Sequence, residues 1–330
     1  MKPRTVWLDY LAYLGARLAA TAFLCLPVET GRSIMRRLGA WWFYGPAWAM
    51  RSPWVIKPVK KVLGKLHAHR LRAEDHIRQS FPDWPESRIQ AVALGSMQHW
   101  AMLFAIELIR TPQLVRPGTW ARHVRLGDGL SDAIRILLSR QGCIMCTAHH
   151  GSFELLGFTL ARLGFDITAV MRPLDNPYLN AMLLDAREAA GLKLLYKKGA
   201  TRSAEDVLDS GGALCFIADQ NAGSKGLFVD FFGRKASTYK SIGLLAMQHN
   251  VPIVVGCARR VSEKFFYQID VNRIIRPEEW QGREEPLLWV TQEFSRAMED
   301  FIRVAPEQYL WIHRRWKSRP KEELQMAKSG

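Results

Sequence analysis

The sequence predicts an α/β fold, a mixed and largely parallel central sheet flanked by helices, behind an N-terminal membrane helix. Three observations carry this prediction. Beyond Gly142, short apolar runs alternate with segments of helical periodicity, the pattern of parallel strands joined by helical crossovers. Residues 5–28 are apolar except for Asp9 and Arg17. From Gly31 to Ala73 there are ten Lys/Arg and no Asp or Glu, interleaved with Trp41, Trp42, Phe43, Tyr44, Trp48 and Trp54. Together they divide the chain into residues 1–30, an anchoring or interfacial helix; 31–73, a basic aromatic membrane-surface segment; and 74–330, one α/β domain.

At the N-terminus the charge-free run, Leu18 to Val28, is 11 residues long, against the roughly 20 that a full span needs. Two forms fit: a marginal transmembrane helix, or an amphipathic helix lying in the interface. No small-residue cleavage site of a signal peptide precedes the basic stretch. Lys2 and Arg4 precede the segment, and the larger cluster Arg32, Arg36 and Arg37 follows it. The positive-inside rule then keeps the main domain cytoplasmic. Cations mixed with Trp and Tyr suit the headgroup level of a bilayer, and the adjoining apolar segment favours lipid over single-stranded nucleic acid as the partner.

The body of the chain follows in order. Glu74–Phe81 and Glu86–Arg110 read as helices separated by Pro82 and Pro85, with Ile89, Val92, Ala93, Met97, Trp100, Phe104 and Leu108 on one face of the second. Asp132–Arg140 is a short helix. Strands are expected at Cys143–Thr147, Ile167–Met171, Leu192–Tyr196 and Ala213–Ile217, and helices between them at Phe153–Leu163, Tyr178–Ala190 and Ser203–Ser210. Ser237–Gln248 reads as a helix, Ile253–Cys257 and Phe265–Val271 as strands, and Pro286 opens a final amphipathic helix. The run Gly226–Gly233 fits an acyl pocket or a core strand equally well.

Composition excludes several classes. With 330 residues and 48% apolar content, global disorder is ruled out. Five cysteines are too few for a disulfide scaffold and point to a reducing compartment. Charges spread through the chain argue against a polytopic membrane protein. The formal charge of +15, from 46 Lys+Arg against 31 Asp+Glu, calls for an anionic partner or surface. Cys143 and Cys146 form a lone CxxC inside an apolar strand, and without a second pair they read as packing residues; no metal and no cofactor is expected.

The densest chemical signal is Ala148-His149-His150-Gly151-Ser152-Phe153-Glu154-Leu155, at the carboxyl end of an apolar strand, where open α/β sheets place their ligands. His149 in the turn and Glu154 in the first helical turn can approach, and a carboxylate on one imidazole nitrogen leaves the other free as a base. The bland alternative makes His149 a cap residue and Glu154 a capping-box partner of Gly151. Ser152 is a rival nucleophile, although its surroundings are not G-x-S-x-G. Arg172 and Asp219-Gln220 also stand at strand ends, which raises them above ordinary surface ion pairs; Arg187 gains no such support. In residues 306–317, Tyr309, Trp311 and Trp316 mix with His313, Arg314, Arg315 and Lys317. The segment is either a headgroup or acidic-partner surface, or a terminal element tied to the core by Trp311 and Trp316.

Taken together, these segments resemble the bacterial lipid A biosynthesis acyltransferase family, the late lauroyl and myristoyl transferases, over roughly residues 5 to 320. Met171-Arg172-Pro173-Leu174-Asp175-Asn176-Pro177 is similar to the family's Tyr-Arg-Pro segment with its following Asn-Pro. Ala218-Asp219-Gln220 is similar to its Pro-Asp-Gln/His element, Ser80-Phe81-Pro82 to its Phe-Pro turn, and residues 306–317 to its C-terminal signature. The resemblance implies a glycerolipid-acyltransferase-like fold. It also implies a catalytic HX4E pair at His149 and Glu154 and substrate-binding roles for Arg187, Asp219, Arg172 and Gln220. His150, Ala218 and Asp185-Ala186 depart from the family's commoner residues. Related glycerolipid acyltransferases carry Asp where this chain has Glu154.

The implied activity is transfer of a fatty acyl chain from an acyl carrier protein thioester to a hydroxyl of a lipid A precursor or similar glycolipid, at the cytoplasmic face of the inner membrane. His149 would be the base, Glu154 its orienting acid, and backbone N–H groups near Gly151 the oxyanion donors. The acidic carrier protein and anionic inner-membrane lipids are the expected partners, the protein is expected to be a monomer, and nucleic acid is not a partner. Alternatives are transfer to another (lyso)phospholipid or lipid acceptor, hydrolysis through Ser152, and a non-catalytic basic module that binds membrane or nucleic acid.

Overall fold

A computed structural model describes residues 6–52, 54–196, 201–320 and 323; Lys2 and Arg4 lie outside them. From Val6 to Ser80 the described residues are mainly helical. α1 (Val6–Leu24), α2 (Val28–Arg51) and α3 (Lys57–Ser80) are broken only where Pro27 and Ile56 adopt extended backbone ahead of the next helix. α3 begins seventeen residues before the predicted Glu74, because Lys57–Ala73 is rich in Lys, Arg, Leu and Ala and its Pro58 falls in the first turn.

α4 (Glu86–Met102) continues through a π-turn at Leu103–Glu107 into α5 (Leu108–Leu114). Gly39 lets α2 cross α4 closely, since a Cβ there would stand 2.6 Å from the Gln98 Cα. Among the described residues, Glu86–Leu114 is the one helix long and apolar enough to cross a membrane, and half of its apolar window is buried, as in a core helix. The segment near residues 5–28, expected as a marginal transmembrane or an interfacial helix, holds a 19-residue helix with no buried residue. Its side chains Val6, Trp7, Leu8, Leu11 and Leu18 are exposed.

The α/β body then runs β1 (Val124–Leu126), α6 (Leu130–Ser139), β2 (Cys143–Thr147), α7 (Phe153–Arg162), β3 (Ile167–Met171), α8 (Pro177–Glu188), β4 (Lys193–Tyr196), α9 (Thr201–Asp209) and β5 (Ala213–Ile217). A hairpin of β6 (Leu227–Phe231) and β7 (Arg234–Thr238) follows, then α10 (Ser241–Gln248), β8 (Ile253–Arg260), β9 (Tyr267–Ile275), α11 (Pro277–Trp280) and α12 (Pro286–Val304). Seven strands form one sheet in the order β1-β9-β8-β2-β5-β3-β4. β8, β2, β5, β3 and β4 are parallel, while β9 runs antiparallel to β8 and pairs in parallel with β1. The mixed, largely parallel sheet flanked by helices is therefore as expected.

Side chains alternate across the sheet with period two. Ile144, Cys146, Leu214, Ile253 and Val255 join one apolar layer with Phe294, Met298 and Phe301 of α12. Cys143, Ala213 and Val254 join the other with Leu155 and Leu160 of α7 and Ile136 of α6. The run at 226–233 is a core hairpin, with Val229, Phe231 and Phe232 buried. Cys143 and Cys146 are buried free thiols, and burial pushes Cys143 up to about 12 and Cys146 upward in the same way.

Candidate active site

The site forms because β2 and β5 are neighbours in parallel. Thr147 pairs with Ile217 at their last rung, so the residues two further on, His149 and Asp219, leave the sheet side by side. His149 Nδ1 stands 2.8 Å from Asp219 Oδ1. The imidazole is 15% exposed and the carboxylate fully buried, so one end of the pair is reachable and the other is sealed. Burial alone would raise the Asp219 pKa. The positive charge on His149, the hydrogen bond from it, and His313 and Arg315 beyond outweigh burial and hold the carboxyl at about 2. An ionised Asp219 accepts a proton-bearing Nδ1, which leaves Nε2 with its lone pair. The Gln220 carboxamide nitrogen lies 3.3 Å from that Nε2.

Glu154 does not reach His149 as its orienting acid in this structure; its carboxylate is taken by Arg187. Arg187 Nε donates to Glu154 Oε2 at 3.0 Å, and Nη2 donates to Oε1. Both partners are nearly buried, with side chains 13% and 5% exposed. Glu154 sits in the first turn of α7, where a helix N-terminus favours a carboxylate, and Arg187 projects from the last turn of α8. Helical twist explains the separation: His149 leaves the strand toward β5, whereas Glu154 is turned toward α8. Phe153 connects the two groups: its ring stands edge-on to His149 at 5.5 Å and it lines the same cavity as Glu154 and Arg187.

The turn between them is held by backbone bonds. Gly151 adopts φ +56°, and a Cβ there would lie 2.0 Å from the Ala258 carbonyl oxygen. Its N–H donates to Gln308 O at 3.2 Å, and the Ser152 N–H donates to Ala258 O at 2.8 Å. The oxyanion donors expected near Gly151 are thus already engaged. Ser152 is fully buried and its hydroxyl caps α7 by accepting the Leu155 N–H at 3.4 Å. It is a helix cap, an arrangement that disfavours it as nucleophile.

The C-terminal signature is mostly a clamp behind the site. Leu310 N–H donates to His149 O at 3.0 Å, Ser96 Oγ to Tyr309 O at 2.6 Å, and His150 Nε2 lies 3.0 Å from Ala305 O. Arg315 is buried and donates to the carbonyls of Gln220 and Ser237 and to the Thr238 hydroxyl. Sequence reasoning did not single it out, because an Arg-Arg pair in a basic run looks solvated. Arg172, by contrast, is exposed and meets only the exposed Asp175, at 3.4 Å. The fold does not bring it to His149.

Beside the Glu154–Arg187 pair lies an apolar cavity of about 110 Å³ between α7 and the sheet. Its floor is built from one face of five adjacent strands, through Ala169, Cys215, Met145, Gly256 and Val271. Four interstrand steps make it about 19 Å across. Spacing along the chain does not reveal such a cavity, because its lining is gathered from five strands far apart in sequence.

With this geometry in place the comparisons are informative. Residues 34–318 match the profile of the family described as bacterial lipid A biosynthesis acyltransferase. The chain belongs to that family. It is therefore an enzyme that transfers acyl groups. Similar proteins include a lipid A biosynthesis acyltransferase of Haemophilus influenzae, 22% identical over 75% of this chain and 76% of that protein. The lipid A biosynthesis palmitoleoyltransferase of Escherichia coli is 27% identical over 58% of this chain and 61% of that protein. A phosphatidylinositol mannoside acyltransferase of Mycobacterium tuberculosis is 25% identical over 41% of this chain and 43% of its own length.

Proposed function

We propose that this acyltransferase moves a fatty acyl chain from an acyl carrier protein thioester to a hydroxyl of a lipid A precursor or similar glycolipid, with His149 as general base. The observation that carries the proposal is the ordered triplet Asp219–His149–Gln220, with Phe153 in contact with His149 and also lining an apolar cavity. Asp219 fixes the tautomer and stabilises the imidazolium that forms as Nε2 takes the acceptor's proton. The acceptor oxygen attacks the thioester carbonyl, and the carrier thiol leaves with the proton returned by His149. The Gln220 amide, already at the reacting nitrogen, replaces the Gly151 N–H as oxyanion donor. The acyl chain lies in the cavity, and the Glu154–Arg187 pair borders its polar end. Glu154 thus acts with Arg187 in positioning substrate, and the dyad is His149 with Asp219.

Membrane attachment is part of the reading. Residues 6–30 and 31–73 present exposed Trp7, Leu11, Trp41, Trp48 and Trp54 together with the exposed cations Arg51, Lys57, Lys61 and Lys65, at the cytoplasmic face of the inner membrane. The match to a phosphatidylinositol mannoside acyltransferase favours one second reading, the same chemistry on a different lipid acceptor.

The test is transfer of a radiolabelled acyl chain from the carrier thioester to candidate acceptors. His149→Ala is expected to lower the rate at least about a thousandfold and Asp219→Asn at least about a hundredfold. Circular dichroism should be unchanged in both. Full activity in His149→Ala refutes the base. An Asp219→Asn variant of wild-type rate, with Glu154→Gln inactive, would return the orienting role to Glu154.

A further inference from the structure

Neither α1 nor α8 has a buried residue, yet the two helices are tied together. Asn176, the residue before α8, is engaged through both ends of its amide. Its Oδ1 accepts the Tyr178 and Leu179 N–H groups at 3.0 and 3.1 Å and so caps α8. Its Nδ2 donates to the Asp9 carbonyl of α1 at 2.8 Å. The orientation is fixed by chemistry: two backbone donors need the oxygen, and a backbone carbonyl needs the nitrogen. Beside this clasp the Tyr178 ring stands edge-on to Tyr10 at 5.2 Å and lies 5.9 Å from the ring of Tyr13.

The clasp joins two ends of different character. At its far end α8 carries Arg187, which holds Glu154 and lines the apolar cavity. α1 is fastened at its own far end by Arg110, whose Nη2 donates to the carbonyls of Phe23 and Leu24, both at 2.9 Å. Between these points Trp7, Leu11, Leu14 and Leu18 recur at steps of four, three and four residues and are exposed, one apolar face of the helix. Tyr10 and Tyr13, which meet α8, stand about a quarter turn round from that face. α1 can therefore lie on lipid with one side and hold α8 with another. A helix with no buried residue is among the first parts of a fold to open locally. The order of α8, and with it the place of Arg187, then depends on the cap, on α1 and on Glu154. A surface that binds α1 in its docked position stabilises that order by linkage.

We propose that Asn176, with Tyr178, is a positioning residue that couples a lipid surface to the active site: α1 seated on lipid holds α8 through the Asn176 clasp, and α8 so held sets Arg187 on Glu154. The effect on catalysis rests on the acyl-transfer reading above, and the lipid surface on the membrane reading; the clasp itself rests on neither.

The test uses the full chain with and without vesicles of phosphatidylethanolamine and phosphatidylglycerol, as wild type, Asn176→Asp, Tyr178→Leu, Arg187→Gln and the double variant Asn176→Asp with Arg187→Gln. Aspartate keeps the cap on α8 and loses only the donor to α1, so an unchanged Tm is expected. Tyr178→Leu breaks the ring contacts with the cap intact, and it reports on the clasp even if Asn176→Asp folds poorly. Amide hydrogen exchange across α8 is expected to slow about tenfold or more when vesicles are added to wild type, and to change less than about twofold in either clasp variant. Flotation with vesicles is expected to be equal in all. Acyl transfer in vesicles, read at high enzyme concentration, is expected to fall about tenfold in Asn176→Asp and no further when that substitution is added to Arg187→Gln. A merely structural role would lower the rate by the same factor in both backgrounds, and that result overturns the route through Arg187. Exchange in α8 that does not respond to vesicles bound by wild type overturns the coupling and leaves membrane attachment standing. A wild-type response in both clasp variants overturns the part given to Asn176 and Tyr178. Wild type that does not float with vesicles overturns the membrane reading and the coupling together. Protection that depends on vesicles and on the clasp, in a protein that transfers no acyl chain, supports the coupling and overturns the proposed reaction.

Discussion

Single residues in this molecule are decided by what each buried polar group finds as a partner. His149 has a carboxylate in reach and a solvent-facing nitrogen; its neighbour His150 is fully buried against a carbonyl. Burial holds His150 at about 4, and burial opposed by the Trp311 carbonyl holds His76 at about 4 as well. In the unfolded chain both titrate near 6.5. Below that value the unfolded state binds protons that the folded state refuses, so stability is full above about pH 6.5 and falls as pH drops toward 4. Asp219 acts in the same sense, because its pKa too is lower in the folded state, but a shift from the ordinary aspartate value to about 2 matters only below about pH 4. Lowering the pH from 7 to 5.5 is therefore expected to cost about 2–3 kcal/mol, to be read as a fall in Tm. A Tm constant over that interval would contradict neutral burial of the two histidines.

Elements place these residues, and the turn from β2 into α7 is the tightest joint. A strand must end, reverse direction and start a helix within five residues while presenting His149. Gly151 makes this possible through its positive φ and its close approach to β8. Ala at position 151 would carry backbone strain and a contact 2.0 Å from the Ala258 carbonyl. Gly151→Ala is expected to cost about 3 kcal/mol or more and to abolish activity by displacing His149. Denaturant midpoints of the variant and wild type check this; equal midpoints would show that the turn can relax. Sequence periodicity located this turn and most of the elements around it, and β2, β3 and β5 run between the predicted residues. Where it fell short, the cause is specific. Residues 31–73 are helical although their Trp and Lys content signals a surface, since surface preference and helix formation are compatible. The strand at 234–238 takes the first two residues of the expected helix 237–248, because they pair across the hairpin with Phe228 and Leu227.

At the scale of the whole molecule, the helical N-terminal third gives the α/β body a face unlike the rest of its surface. Trp41 and Trp48 are exposed and Trp54 is 91% exposed, amid cations without acids. Exposed indoles have no folding role to lose, so replacing them tests surface function alone. The triple variant Trp41→Ser, Trp48→Ser, Trp54→Ser is expected to keep the wild-type Tm and to bind anionic vesicles at least about tenfold more weakly. Flotation with and without salt measures this, and undiminished flotation would argue against a membrane face here.

The chain's local order by itself determined where strands and helices fall, that chemistry gathers where β2 and β5 end, and that His149, Asp219 and Gln220 stand there. Period, turn residues and apolar runs are local quantities, readable a few residues at a time. Only the tertiary structure decided which carboxylate serves the imidazole. β5 enters the sheet between β2 and β3, and that insertion brings Asp219 across 70 residues of chain to His149. Glu154, five residues away in sequence, is carried round the helix to Arg187. Hydrogen bonds are formed by distance in space, and in a sheet whose strand order departs from chain order the nearest acid in sequence is not the nearest in space.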